Sequence, residues 1–143
     1  MRLSVTTPRG AVVETEIDEI TAPGTLGEFG VLPGHVPMMA ALKPGVLTYR
    51  TSDRATTLAV GEGFLQVAPV VIGEKTTDRV LVLVDQAASA TAIDPAVAKK
   101  ELGEVEARLA AWKGELDGTY QELVVRRDWF LAQLGAASRA TPS

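Results

Sequence analysis

The sequence predicts a β-sandwich followed by an antiparallel α-helical hairpin, and three observations carry that prediction. From Arg2 to about Asp85 the chain is rich in Val, Thr, Leu and Ile in short runs separated by Gly, Pro, Asp and Ser, with no helical spacing. At Asp94-Pro95 the period switches to helical. Between these halves lies a small-residue connector, Gln86 to Ala92. Short strands with frequent turn signals and no intervening helices close into an antiparallel sandwich or flattened barrel.

The strands follow in order. Leu3 and Val5 alternate with Ser4 and Thr6, and Val13, Thr15 and Ile17 alternate with Glu14, Glu16 and Asp18. Ile20 and Ala22 continue out of phase, which reads as a bulge. Val46 to Thr51, Thr57 to Val60, Phe64 to Ala68, Val70 to Glu74 and Arg79 to Asp85 complete the set. Val80 to Val84 is apolar on both faces, as is Val70-Val71-Ile72, so the outer face of these strands needs cover. The simplest cover is the rest of the chain; the alternative is a protein partner.

In the helical half, Asp94 can accept from the first free amides and Pro95 fits the first helical position. Ala98, Leu102, Val105, Leu109, Trp112 and Leu116 recur at steps of four, three, four, three and four, forming one stripe. Gly114 and Gly118 interrupt the pattern. A second stripe then starts with Tyr120, Leu123, Val124, Leu131 and Leu134. Its apolar area is small for the chain it must order, so the hairpin is expected to need the sandwich or a partner. The boundaries are a sandwich over 1–86, a connector over 87–93, two helices over 94–135 and a frayed tail over 136–143. Arg127 falls inside the second stripe and Trp129 on the opposite side. The structural account has the Arg127 head reaching a carboxylate on the first helix and Trp129 half exposed. The functional account gives Arg126, Arg127 and Trp129 an acidic protein surface to bind.

Composition excludes several functions. The chain has 143 residues, no cysteine, one histidine and a formal net charge of −4. Disulfides and thiolate metal sites are therefore out, and a nucleic-acid partner would need a basic face that is missing. No apolar run reaches membrane-spanning length and no leader pattern opens the chain, so a cytoplasmic protein without membrane insertion is expected. One histidine cannot build a multi-histidine zinc site, the serines lack a nucleophile context, and Gly61-Glu62-Gly63 lacks the lysine of a phosphate loop. No catalytic residue, metal or cofactor is expected. The acidic residues Glu14, Glu16, Asp18 and Glu19 read as a solvated strand face.

The most specific stretch runs from Gly27 to Gly45, where four glycines and three prolines punctuate apolar residues. The backbone is told where to bend while the side chains still favour burial. This reads as a shaped contact loop with Glu28 and His35 as its only ionisable groups before Lys43. On residues alone the chain is a β-sandwich interaction module of unknown partner. A small sandwich-fold enzyme would need titratable groups converging near His35.

Thr7-Pro8-Arg9-Gly10 after Leu3-x-Val5, Gly27-Glu28-Phe29-Gly30-Val31-Leu32-Pro33-Gly34-His35-Val36-Pro37, Leu42-Lys43-Pro44-Gly45, Gly61-x-Gly63-Phe64, Val82-Leu83-Val84-Asp85 and Ile93-Asp94-Pro95 occur in one order. In these motifs the chain resembles the ε subunit of bacterial and chloroplast F-type ATP synthases, from about Leu3 to Leu134. The resemblance implies a sandwich of roughly ten short strands in two sheets with an antiparallel helix pair. It implies a non-catalytic rotor subunit on the central stalk, peripheral on the cytoplasmic side of the membrane, binding the γ subunit and the c-ring. Leu26, Glu28 and Phe29 would then face the c-ring, and His35 would lie nearer γ. In this family the helices can extend along γ and restrain ATP hydrolysis, which would set Arg126, Arg127 and Trp129 against a β subunit in the α/β head. Residues 94–143 carry seven basic and eight acidic side chains, so weak or absent inhibition is expected. Some members bind regulatory ATP through a motif resembling I-D-x-x-R-A. Here Asp94 is present but Val97 stands at the arginine position, so Asp94 is expected to act as a helix cap and no ATP to be held.

Overall fold

The structure is a computed structural model that describes residues 1–34 and 37–140. Its strands are β1 (Arg2–Thr7), β2 (Gly10–Glu16), β3 (Glu19–Gly24), β4 (Gly27–Val31), β5 (Met38–Leu42), β6 (Gly45–Thr51), β7 (Arg54–Val60), β8 (Gly63–Ile72), β9 (Lys75–Val84) and β10 (Ala87–Ser89). A single 3-10 turn at Ala90–Ala92 leads to helices α1 (Pro95–Ala110) and α2 (Gly118–Ala140).

The strands hydrogen-bond in the order β10-β7-β6-β3-β5-β8-β9-β1-β2, with β4 added to β3. This path folds over on itself at β3. The first half of β3 pairs with β6, whereas its last residue, Gly24, pairs with Leu42 of β5. Ile20, Leu47 and Leu58 from one arm thereby meet Leu3, Leu65, Val67, Val80 and Val82 from the other in one core. Alternation explains the choice, since β8 buries Leu65 and Val67 and turns Phe64 and Gln66 outward. The ten-strand sandwich with two helices is as expected.

Several local expectations are corrected. All ladders are antiparallel except that β1 lies parallel to β9. The bulge falls between Val5 and Thr6, while the phase change before Ile20 is the point where the chain leaves β2 for β3. The glycine and proline stretch contains two strands, β4 and β5. β8 continues through Pro69, which lies beyond the last residue paired with β5, Val67, and opposite Asp78 of β9.

In the hairpin, the Asp94 carboxylate accepts from the amides of Ala96 at 3.0 Å and Val97 at 3.4 Å, and Pro95 opens α1. The first stripe does not continue to Leu116. α1 stops at Ala110, and Trp112 folds over the turn, donating to the Glu115 carbonyl and meeting Tyr120 edge to face. Asp117 caps α2 by accepting from the amides of Thr119 and Tyr120. α1 packs on α2, and α2 packs on β6 and β7. The tail is not frayed from 136 onward: α2 runs on to Ala140, with Ala136 and Ala137 buried. Small residues make this possible. Ala132 and Ala136 sit against Ala59 and Ala90, and a Cβ on Gly135 would come within 3.1 Å of Val46. Residues 141–143 lie outside the described residues.

Candidate functional site

Two surfaces stand out. The first is the tip of the β3–β4 hairpin, where Gly24 pairs with Gly27 and Thr25-Leu26 make the turn. Gly27 takes φ 127°, a conformation that side chains resist. Leu26 is fully exposed at 103% and Glu28 is exposed beside it, with no ion pair to its carboxylate among the described residues. Phe29 turns inward against the core instead, and a Cβ on Gly24 would come within 2.9 Å of its ring. The tip is fixed from behind: the amide of Thr25 donates to Ala41 and that of Lys43 to Pro23, each at 3.0 Å. The Gly27–Gly45 motif thus builds a rigid apolar prow with one carboxylate. His35 lies outside the described residues.

The second surface is the outer face of β5, β8 and β9. Ala41, Phe64 and Leu83 form one cross-strand row, and Met39, Gln66 and Leu81 form the next. Met39 is 65% exposed, Phe64 54% and Leu83 47%. Cover by the chain itself, the simpler expectation for this face, does not occur among the described residues: α2 covers β6 and β7 instead. The doubly apolar pattern of Val80 to Val84 signalled the exposure, although Met39 and Phe64 were missed because each stood in a run read for other reasons.

The residues expected to meet a β subunit are not gathered on one free surface. Arg126 is exposed, but Arg127 pairs with its neighbour Asp128 at 3.2 Å and not with a carboxylate on α1. Trp129 packs on the alanine cluster between α2 and the sandwich. The stripe reading set it on the opposite side of α2 and half exposed, and it is partly buried there; what the stripe did not supply is that the sandwich lies on that side. Leu131, expected in the stripe, is half exposed. The Asp94 carboxylate is engaged by its cap, and Val97 is exposed beside it.

Among the described residues, no group of three or more His, Cys, Asp or Glu side chains converges to hold a metal ion. None of the described helices is long and apolar enough to cross a membrane.

Residues 1–90 match the family described as "ATP synthase, Delta/Epsilon chain, beta-sandwich domain". ATP synthase epsilon chain 2 of Syntrophotalea carbinolica is 46% identical over 109 residues, 76% of this chain and 73% of that one. The epsilon chain of Geobacter sulfurreducens is 37% identical over 140 residues, 98% of this chain and 95% of that one. In structure, a chain of the Euglena gracilis mitochondrial ATP synthase, solved by cryo-EM as OSCP/F1/c-ring, is similar with a TM-score of 0.72. It covers 91% of this chain and 76% of its own length at 21% identity, a likeness of fold. With the sandwich matched as a domain and epsilon chains matched over nearly the whole length, this chain belongs to the ATP synthase epsilon family, the non-catalytic subunits of that complex.

Proposed function

We propose that this subunit forms part of the central stalk of a proton-translocating F-type ATP synthase, coupling rotation of the c-ring to the catalytic head through γ. The observation that carries this is the bare apolar face on which Met39, Phe64 and Leu83 lie in two adjacent cross-strand rows. Such a face on a folded chain is stable in water only at a cost that a partner removes. In this reading γ takes that face, and the expected γ contact of His35 lies outside the described residues. The β3–β4 tip, with Leu26 and Glu28 outward and Phe29 as its anchor, rests on the c-ring. Cross-linked or copurified γ on this face supports the assignment, and a γ that binds with the face blocked overturns it. The subunit is then peripheral, on the cytoplasmic side of the membrane.

Glu28→Lys tests the tip. Glu28 is exposed and makes no ion pair among the described residues, so the melting temperature of the free chain should stay within about 2 °C. Reversing the charge opposite polar loops of the ring should lower coupled proton pumping or assembly severalfold. Unchanged pumping in the assembled complex would remove Glu28 from the ring interface.

The helices are proposed to restrain hydrolysis weakly or not at all. With Trp129 docked on the sandwich, a grip by Arg126, Arg127 and Trp129 on a β subunit requires α2 to leave. The mixed charge of the helices gives that move little electrostatic reward. Truncation after Ala92 should change the ATPase rate of the assembled enzyme by less than about threefold. A many-fold rise would establish strong inhibition.

The hairpin is also proposed to hold no regulatory ATP, because Val97 offers no cation and Asp94 is committed to its cap. Calorimetry with ATP on the isolated chain should give no saturable heat up to about 1 mM. A micromolar dissociation constant would overturn this.

A further inference from the structure

We infer that γ meets the apolar face with an acidic segment, set against a cationic rim formed by Arg79, Arg2 and Lys75. The inference rests on the reading that γ takes the face of Met39, Phe64 and Leu83, and it adds the chemistry that γ must present there. The cross-strand rows of that face continue past its apolar residues. Beyond the row of Met39, Gln66 and Leu81 comes one made of Ala68 on β8, Arg79 on β9, Arg2 on β1 and Glu16 on β2. Val80 and Val82 are buried, so Arg79 turns to the same outward side as Leu81 and Leu83. Alternate residues of a strand lie about 7 Å apart, which puts Arg79 one row from the apolar patch. Lys75 stands on the same side of β9, opposite Ile72. All three cations are exposed.

These charges are left without enough partners. The one carboxylate in the row, on Glu16, lies 3.8 Å from Arg2 and 3.8 Å from the terminal amine of Met1. Among the described residues neither Arg79 nor Lys75 is in an ion pair. Arg2 and Arg79 are direct neighbours in the parallel ladder, and like charges in that position repel. The chain carries 18 acidic and 14 basic side chains, so unpaired cations gathered beside its bare face run against its overall balance.

That arrangement selects the partner's chemistry. A basic segment would be repelled, and an uncharged one would leave the repulsion between Arg2 and Arg79 in place. A carboxylate relieves it and accepts paired N–H donors from the Arg79 guanidinium. Because the rim stays hydrated, its charge acts on the encounter more than on the lifetime of the complex. The apolar rows hold γ, and the cations steer it.

The test is the association rate of purified γ with the full chain at about 50 and about 500 mM salt. Arg79→Gln should slow association about fivefold at the lower salt and less than about twofold at the higher, with the dissociation rate within about twofold of the parent. Arg79→Lys keeps the charge and should restore association to within about twofold. Arg54→Gln, at the start of β7 in the other arm of the sheet, removes the same charge and should leave the rate unchanged. Arg79 is exposed, so its variants should melt within about 2 °C of the parent. Faster association of Arg79→Glu, or equal slowing by Arg54→Gln, would overturn the acidic segment. An unchanged rate for Arg79→Gln while Phe64→Glu weakens binding would overturn it too, and would leave γ on the apolar face. Binding of γ that ignores both substitutions would overturn this inference and the γ face together.

Discussion

Gly63→Ala should lower the melting temperature of the free chain by about 10–15 °C, from the loss of some 3 kcal/mol or more. A Cβ at this position would fall on the carbonyl oxygen of Leu83 and lie 2.8 Å from the Cα of Val84. These are backbone atoms, so no rotamer change relieves the overlap. Gly63 is also held from both sides, pairing with Leu42 on β5 and Val84 on β9. The strands must separate, and ladder hydrogen bonds are lost with them. Gly30→Ala is the control: its Cβ would meet only the Ile20 carbonyl, at 3.8 Å, an ordinary contact. If calorimetric melting of Gly63→Ala came within 3 °C of the parent chain, β8 and β9 would have slack that their close approach denies.

Gly63 also marks where the sequence was readable and where it was not. The Gly61-x-Gly63-Phe64 segment could be recognised as a family motif and excluded as a phosphate loop, yet nothing in one strand says which backbone will press against it. Strand existence was legible because alternation is a property of each strand alone. The parallel pairing of β1 with β9 was not, since it depends on how distant strands meet. The same division runs through the helices. Asp94-Pro95 announced the start of α1 locally, whereas the end of α1 at Ala110 is set by Trp112 folding back onto Glu115 and Tyr120. The length of α2 was underread because Gly135, Ala136 and Ala137 look like a solvated tail until β6 and β7 are placed beneath them. Contact through alanines brings helix and sheet close but removes little apolar area from water, so the sandwich core contributes far more to holding the chain together. At the candidate site, the rigid tip was legible from its glycines and prolines. The side of α2 that carries Trp129 was legible too, but its packing on the sandwich was not, because a single stripe does not say what lies behind the helix.

The bare face carries the second large effect. Phe64→Glu should weaken binding of purified γ by about a hundredfold or more. Phe64 sits in the row with Ala41 and Leu83, flanked by Met39, and aromatic residues at the centre of an apolar patch tend to dominate an interface. A glutamate there would be desolvated without a partner when γ docks, a cost that the free chain does not meet because the position is 54% exposed. The melting temperature of the free variant should therefore stay within a few degrees of the parent. Val71→Glu supplies the contrast, because Val71 is also exposed but belongs to the far end of the β8–β9 hairpin, away from the two rows. Its affinity for γ should change less than about threefold. Equal weakening by both substitutions would mean that general charge, and not this face, governs the encounter. Binding of Phe64→Glu within threefold of the parent would leave the apolar rows without a role in docking γ, and the stalk would have to hold this subunit by another surface.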